Sequence, residues 1–318
     1  MLPVPRYARP RLLFTNHLET IYPAVARKVG GANYQRERIT TPDQDFLDLD
    51  WLKQNSRQLV IISHGLEGNT QRAYVRGMAR AFHEMGHDVL AWNYRGCSGE
   101  MNRQLRFYHS GATDDLDVVV RHALGTGRYL SLSFIGFSLG GNLTLKYLGE
   151  KGGQLDKRVH RAVAISVPLD LHASCMAISR YFLYSQRFLK SLKKKVLAKA
   201  KTRPELETGG IHRIKNLIQF DDAYTAPLHH FASAVDYYEK CSSIHFIGDI
   251  KIPTLIVNAQ NDPFLSTTTH GHPALSGNPM VKFENPRHGG HVGFALFNQN
   301  GLYWSELKAL DFINGENV

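Results

Sequence analysis

Gly136-Phe137-Ser138-Leu139-Gly140 decides how this chain is read. The pentapeptide has the form G-x-S-x-G and stands between an apolar run, Leu130 to Ile135, and a helix-like run, Asn142 to Leu148. A strand, a sharp turn and a helix are what a nucleophile elbow requires. In such a turn the serine takes strained backbone angles. Side chains at 136 and 140 would collide with the neighbouring strand and helix, which is a steric reason for glycine at both. Ser138 is expected to stand exposed above a sheet, at the N-terminus of a helix whose amides face developing negative charge.

Outward from the elbow, strand-like and helix-like runs alternate. Gln58 to Ser63 and Asp88 to Trp92 read as strands with a helix over Arg72 to Glu84 between them. Glu37 to Trp51, with a turn at Pro42-Asp43 and the alternation Phe46-Leu47-Asp48-Leu49-Asp50, reads as an antiparallel edge hairpin. Thr113 is placed as the cap of a helix running to Leu124, with Asp114 and Asp115 in its first turn. Ala162 to Val167 is a further strand, closed by Pro168. Strand signals return at Thr254 to Ala259 and Met280 to Glu284, and a last helix covers Tyr303 to Ile313. This alternation predicts the α/β class: a mostly parallel central sheet with helices on both faces.

From Leu169 to about Gly248 no strand signal occurs, only helical, basic and aromatic segments. That excursion exceeds an ordinary connection. Residues 169–248 are therefore read as an inserted helical cap, and residues 1–168 and 249–318 as one core. The cap is expected to cover Ser138 and set substrate choice, with Tyr181, Phe182, Leu183 and Tyr184 as candidates to line an acyl pocket.

The chain has 318 residues, 43% hydrophobic and 21% charged, enough to bury a large core, which excludes a disordered protein. The segment MLPVPRYARPRLLF is broken by prolines and arginines, so no signal peptide is expected. Leu130 to Leu145, a charge-free stretch that contains the elbow, reads as buried strand and helix start, so no membrane anchor is expected either. Three cysteines, Cys97, Cys175 and Cys241, at wide and irregular spacing fit neither a disulfide framework nor a zinc site. A cytoplasmic location is expected, with no metal and no organic cofactor.

The net charge of +10 concentrates once, in Arg187 to Arg203, which carries eight basic residues and no acid. Phe188, Leu189, Leu192, Val196, Leu197 and Ala200 recur there at helical spacing. One reading is a helix packed on the protein with a solvated basic face. The other is a surface for weak association with anionic lipid or an acidic substrate. No nucleic-acid partner is expected, and the sequence leaves the oligomeric state open.

A nucleophilic serine needs a base and a group to orient it, because an unassisted hydroxyl barely ionises at neutral pH. In this architecture they follow in the order Ser, acid, His, on loops after later strands. Asp262 lies directly after the strand Thr254 to Ala259, and His291 lies in Arg287-His288-Gly289-Gly290-His291-Val292-Gly293 after the last one. The two glycines before His291 permit a tight approach to the elbow and favour it over His288, which is expected to be a neighbour. The oxyanion needs two amide donors. Leu139 supplies one from the elbow, and Leu66 the other from Ser63-His64-Gly65-Leu66-Glu67-Gly68-Asn69, with Gly65 making room.

His64-Gly65-Leu66-Glu67-Gly68, Asn93-Tyr94-Arg95-Gly96-Cys97-Ser98-Gly99, His109-Ser110-Gly111, the elbow and Gly290-His291-Val292-Gly293-Phe294 together resemble the YheT-type, EMB8-like family of α/β-hydrolases. Phe220 to Leu228 and Asp236-Tyr237-Tyr238 extend the resemblance into the excursion. It implies the α/β-hydrolase fold and a serine hydrolase with a Ser-Asp-His triad, esterase- or lipase-like, acting on small-molecule esters. Thioester or amide cleavage by the same triad, or a non-catalytic scaffold that binds a ligand or partner, are the rival readings.

Overall fold

The structure is a computed structural model and describes residues 4–298 and 300–315. Eight strands form one sheet: β1 (Gln35–Thr40), β2 (Phe46–Leu52), β3 (Gln58–Ser63), β4 (Asp88–Asn93), β5 (Ser131–Phe137), β6 (Val159–Ile165), β7 (Thr254–Val257) and β8 (Val281–Glu284). Their order across the sheet is β1-β2-β4-β3-β5-β6-β7-β8. β1 pairs antiparallel with β2 and β2 with β4, so the hairpin sits at one edge. Every pairing from β4 to β8 is parallel.

Central strands written as continuous apolar runs are buried on both faces. Along β3, Leu59 and Ile61 join one core while Val60 and Ile62 join the other, the period of two that pleating imposes. The first core packs under α3 (Thr113–Gly125) and α4 (Leu139–Lys151), through Leu116, Val119, Leu143 and Leu148. The second packs under α2 (Ala73–Glu84) and α10 (Trp304–Asn314), through Met78, Phe82 and Leu310. Full burial of each such side chain stabilises the fold by about 1.5–3 kcal/mol. An early helix, α1 (Asn16–Val25), begins at Thr15, whose side chain accepts the Leu18 amide.

Two local expectations are corrected. Thr113 is the first residue of α3, not its cap; Ala112 holds the cap position and no side chain caps it. Asp114 and Asp115 do lie in that first turn, and Asp115 is buried 2.7 Å from Arg95. β6 ends at Ile165, short of Val167, because Ser166 turns to φ 54° and leaves the extended region. Val167 is then held by Asn258, which accepts its N–H at 2.7 Å and donates to its carbonyl at 3.0 Å.

Between β6 and β7 the described residues contain no strand. α5 (Leu171–Ser179), α6 (Phe182–Ala200), α7 (Leu217–Phe220), a π-helical turn over Asp221–Thr225, α8 (Ala226–Leu228) and α9 (Ala234–Cys241) follow one another. They share an apolar cluster that includes Cys175, Leu189, Val196, Ile211 and Tyr237, joined from the core by Phe107. α6 packs through Phe188, Leu189, Leu192, Val196 and Ala200 as their spacing predicts, and departs from the expected face at two positions. Leu197 is exposed, whereas Lys199 is fully buried and donates to Asn102 Oδ1 at 2.6 Å and to the carbonyls of Gln104 and Arg106. Those acceptors use all three ammonium protons. No helix among the described residues is long and apolar enough to cross a membrane.

Candidate active site

Ser138 is the only residue between β5 and α4, and it sits at φ 53°, ψ −120°. A Cβ at Gly136 would stand 2.4 Å from the Gly140 carbonyl oxygen, and one at Gly140 would stand 2.4 Å from that of Ser63. Both glycines are therefore required by the crossing of strand, turn and helix.

His291 Nε2 lies 3.0 Å from Ser138 Oγ, and His291 Nδ1 lies 2.8 Å and 3.1 Å from the Asp262 carboxylate oxygens. Asp262 is buried and accepts the Phe264 N–H at 2.8 Å. A carboxylate on Nδ1 fixes the proton there and leaves Nε2 as the acceptor for the serine hydroxyl. His288 borders neither cavity that reaches Ser138, and its Nδ1 is buried without a partner among the described residues. The role expected of the glycines beside His291 is corrected. A Cβ at Gly290 would meet Thr20 and Glu19 of α1 at 2.8–2.9 Å, and one at Gly289 would meet the Phe294 ring at 2.4 Å. Their close approach is to α1 and to the loop's own turn, not to the elbow.

The loop after β3 turns sharply at Gly65–Gly68, closed by the Gly68 N–H to the Gly65 carbonyl at 3.0 Å, with Glu67 at φ 52°. Tyr74 OH accepts the Gly65 amide and Tyr108 OH the Glu67 amide, at 3.0 and 2.8 Å. The Leu66 amide lies between those two occupied ones. The Leu139 amide opens α4, where a helix offers no acceptor of its own. A Cβ at Gly65 would lie 3.2 Å from Ser138 Cβ, so this turn and the elbow face each other closely. His64 anchors the turn from below: the Tyr94 N–H donates to its Nε2 at 3.3 Å, so Nδ1 carries the proton and donates to the Gly65 carbonyl at 2.8 Å. Burial pushes its pKa down to about 3, keeping the ring neutral.

Two cavities meet at Ser138 and His291. One, of about 210 Å³, opens between α1, the Gly65–Gly68 turn and the start of α6, with Ile21, Arg72, Tyr184 and Arg187 on its walls. The other, of about 120 Å³, runs under the helical excursion past Leu171, Ile178, Leu192 and Leu217 to Asp221 and Tyr238. Of the four aromatic and aliphatic candidates, Tyr184 borders the first cavity, while Tyr181 packs edge-on against His17. Phe182 and Leu183 point outward, 72% and 81% exposed. Missed in the sequence is Phe264, whose ring lies 4.3 Å from that of His291 and 4.8 Å from that of Tyr184, so it joins α6 to the histidine. Its position two residues after Asp262 was the available signal. Among the described residues no group of three His, Cys, Asp or Glu side chains could hold a metal ion.

Comparison with known proteins agrees with this architecture. Residues 58–296 match the model of the alpha/beta hydrolase fold family. The chain is 34% identical over 292 residues to YheT of Escherichia coli (strain K12), covering 88% of this chain and 85% of that protein. It is 27% identical over 276 residues to phospholipase ABHD3 of Mus musculus, covering 82% of this chain and 66% of that protein. The solved structure of the Pyrococcus furiosus esterase Pf2001 shares the fold with a TM-score of 0.62 at 18% identity, over 91% of this chain and 95% of that one. From the family match and the identity to YheT, the chain belongs to the α/β-hydrolase family, in its YheT-type, EMB8-like branch, and is a hydrolase.

Proposed function

We propose that this protein cleaves carboxylic esters through an acyl-enzyme on Ser138. The observation that carries the reading is the hydrogen-bonded chain Ser138–His291–Asp262 at the point where both cavities meet. His291 Nε2 takes the hydroxyl proton as Ser138 Oγ bonds to the ester carbonyl carbon, and Asp262 stabilises the resulting imidazolium. The carbonyl oxygen becomes an oxyanion held by the Leu66 and Leu139 amides. Collapse breaks the bond to the alcohol oxygen, which receives the proton from His291. Water, deprotonated by the same nitrogen, then releases the acid and restores Ser138.

The helical excursion, residues 169–248, serves as the cap. The apolar cavity beneath it suits an acyl chain, and the larger, partly basic cavity suits the alcohol. The name of the mouse relative, a phospholipase, supports an ester as substrate. The test is a fluorophosphonate probe together with matched ester, thioester and amide panels. Single-site labelling, lost in Ser138→Ala, with esters turned over fastest, supports the reading. Labelling that survives Ser138→Ala overturns it, and faster thioester or amide turnover transfers the same triad to that chemistry.

A further inference from the structure

α1 lies outside the residues matched by the family model, which begin at 58, yet it touches both loops that carry Asp262 and His291. Glu19 is 1% exposed. Its Oε1 accepts the Gly289 N–H at 3.1 Å, and its Oε2 accepts from the Asn261 side-chain amide. Asn261, the neighbour of Asp262, in turn accepts the Gly290 N–H at 3.0 Å. Thr20 Oγ1 accepts the His291 N–H at 3.0 Å and donates to the Asn16 carbonyl at 2.8 Å. Three consecutive amides, 289 to 291, are thus held by side chains, two of them directly from α1. A Cβ at Gly293 would lie 2.2 Å from the Glu19 carbonyl oxygen, so helix and loop are in backbone contact.

We propose that Glu19 and Thr20 are positioning residues, which set the distance between the Asp262 loop and the His291 backbone and so align the Ser138–His291–Asp262 chain from the N-terminal helix. The inference rests on the triad reading above. The imidazole must meet Asp262 on one side and Ser138 on the other, and both distances change together when the His291 backbone shifts. A displacement near 1 Å can cost about 10²-fold in rate. The Glu19 carboxylate can hold two loops because it is acceptor-only, and each of its oxygens faces an N–H.

The test uses the full chain and a soluble short-chain ester. Thr20→Val keeps the shape of the side chain and removes the oxygen; Thr20→Ser keeps the oxygen. Glu19→Gln places an amide N–H against an N–H. Thr20→Val and Glu19→Gln are expected to lower kcat about 10-fold or more with KM little changed, and to shift or broaden the proton NMR resonance of His291 Nδ1–H. Thr20→Ser is expected to recover most of the loss. Where Glu19→Gln fails to fold, the Thr20 pair decides. Unchanged kcat and an unchanged resonance in Thr20→Val, or a Thr20→Ser variant as impaired as Thr20→Val, would overturn the proposal. Failure of the triad reading shows separately, as wild-type protein that no fluorophosphonate labels at Ser138.

Discussion

Lys195 Nζ lies 2.7 Å from Glu67 Oε1, an ion pair that ties α6 to the turn bearing the Leu66 amide. Ser191 Oγ, one turn earlier on the same helix, donates to the other Glu67 oxygen, and Tyr108 OH donates to Oε1 at 2.8 Å. Burial alone would raise the Glu67 carboxyl; the Lys195 charge and these donors hold it below its ordinary range instead. α6 and the Gly65–Gly68 turn are therefore tied together through Glu67.

Lys195→Met leaves a buried carboxylate without its cation, a change that typically costs about 3–5 kcal/mol. Thermal unfolding should show a clear loss of stability, and kcat should fall while KM changes little, because the amide beside Glu67 loses its brace. The double variant Lys195→Met/Glu67→Gln should regain most of the stability. A single variant as stable and active as the parent would show that the pair does not brace the turn.

Ser138→Ala should abolish turnover, and His291→Ala should lower kcat by about 10³-fold or more, since removing one member disables the unit. Asp262→Asn should also cut kcat strongly with substrate binding nearly intact. His288→Ala, on a ring away from both cavities, should cost far less. Steady-state kinetics on one soluble ester rank all four, and a His288→Ala defect equal to that of His291→Ala would reverse the assignment of the base.

Much of this architecture is legible because its signals are local. A continuous apolar run such as Leu59-Val60-Ile61-Ile62 reports burial on both faces, and Gly136 and Gly140 report a turn too crowded for side chains. Chain order named three side chains that prove to be hydrogen-bonded in series. The unreadable parts are long-range or depend on orientation. The Glu19 contact with Gly289 spans 270 positions and leaves no periodicity in either segment. Lys199 goes inward, against its composition, because three acceptors from the loop at 102–106 await it. Phe182 and Leu183 face out because the helical register, not apolarity, decides which side of α6 meets the protein.

Asp221 gives a pH dependence with a defined sign. Its carboxyl borders the inner cavity, accepts hydrogen bonds from Thr225 and Tyr238, and is pushed up by burial from 3.8 to about 6. A raised acid binds its proton more tightly folded than unfolded, so its stabilising contribution is complete below 3.8 and is lost as pH rises through about 6. The two values differ by about 2, so ionisation costs roughly 3 kcal/mol. Asp221→Asn should remove that slope. Urea unfolding of parent and variant between pH 4 and 7 checks it, and parallel pH curves for the two would refute the assignment.

The outer face of α6 carries a second consequence of helical register. Leu183, Arg187, Lys190, Lys194, Leu197 and Lys201 recur every three or four residues and are all exposed, one stripe with an apolar start and a basic body. Arg187 on this stripe also borders the larger cavity at Ser138. As a proposal, this face rests on anionic lipid with the cavity mouth beside it; Lys195 and Lys199 take no part, being bound inward. Reversing Lys190, Lys194 and Lys201 to Glu should weaken binding to phosphatidylserine vesicles by at least about 10²-fold, since each basic residue contributes about 1 kcal/mol at such a surface. The effect should shrink as salt rises and screening shortens the reach of each charge. Hydrolysis of a soluble short-chain ester should remain at the parent rate, because none of the three side chains borders either cavity. Vesicle binding equal in parent and variant at low salt would leave the stripe a solvated face and nothing more.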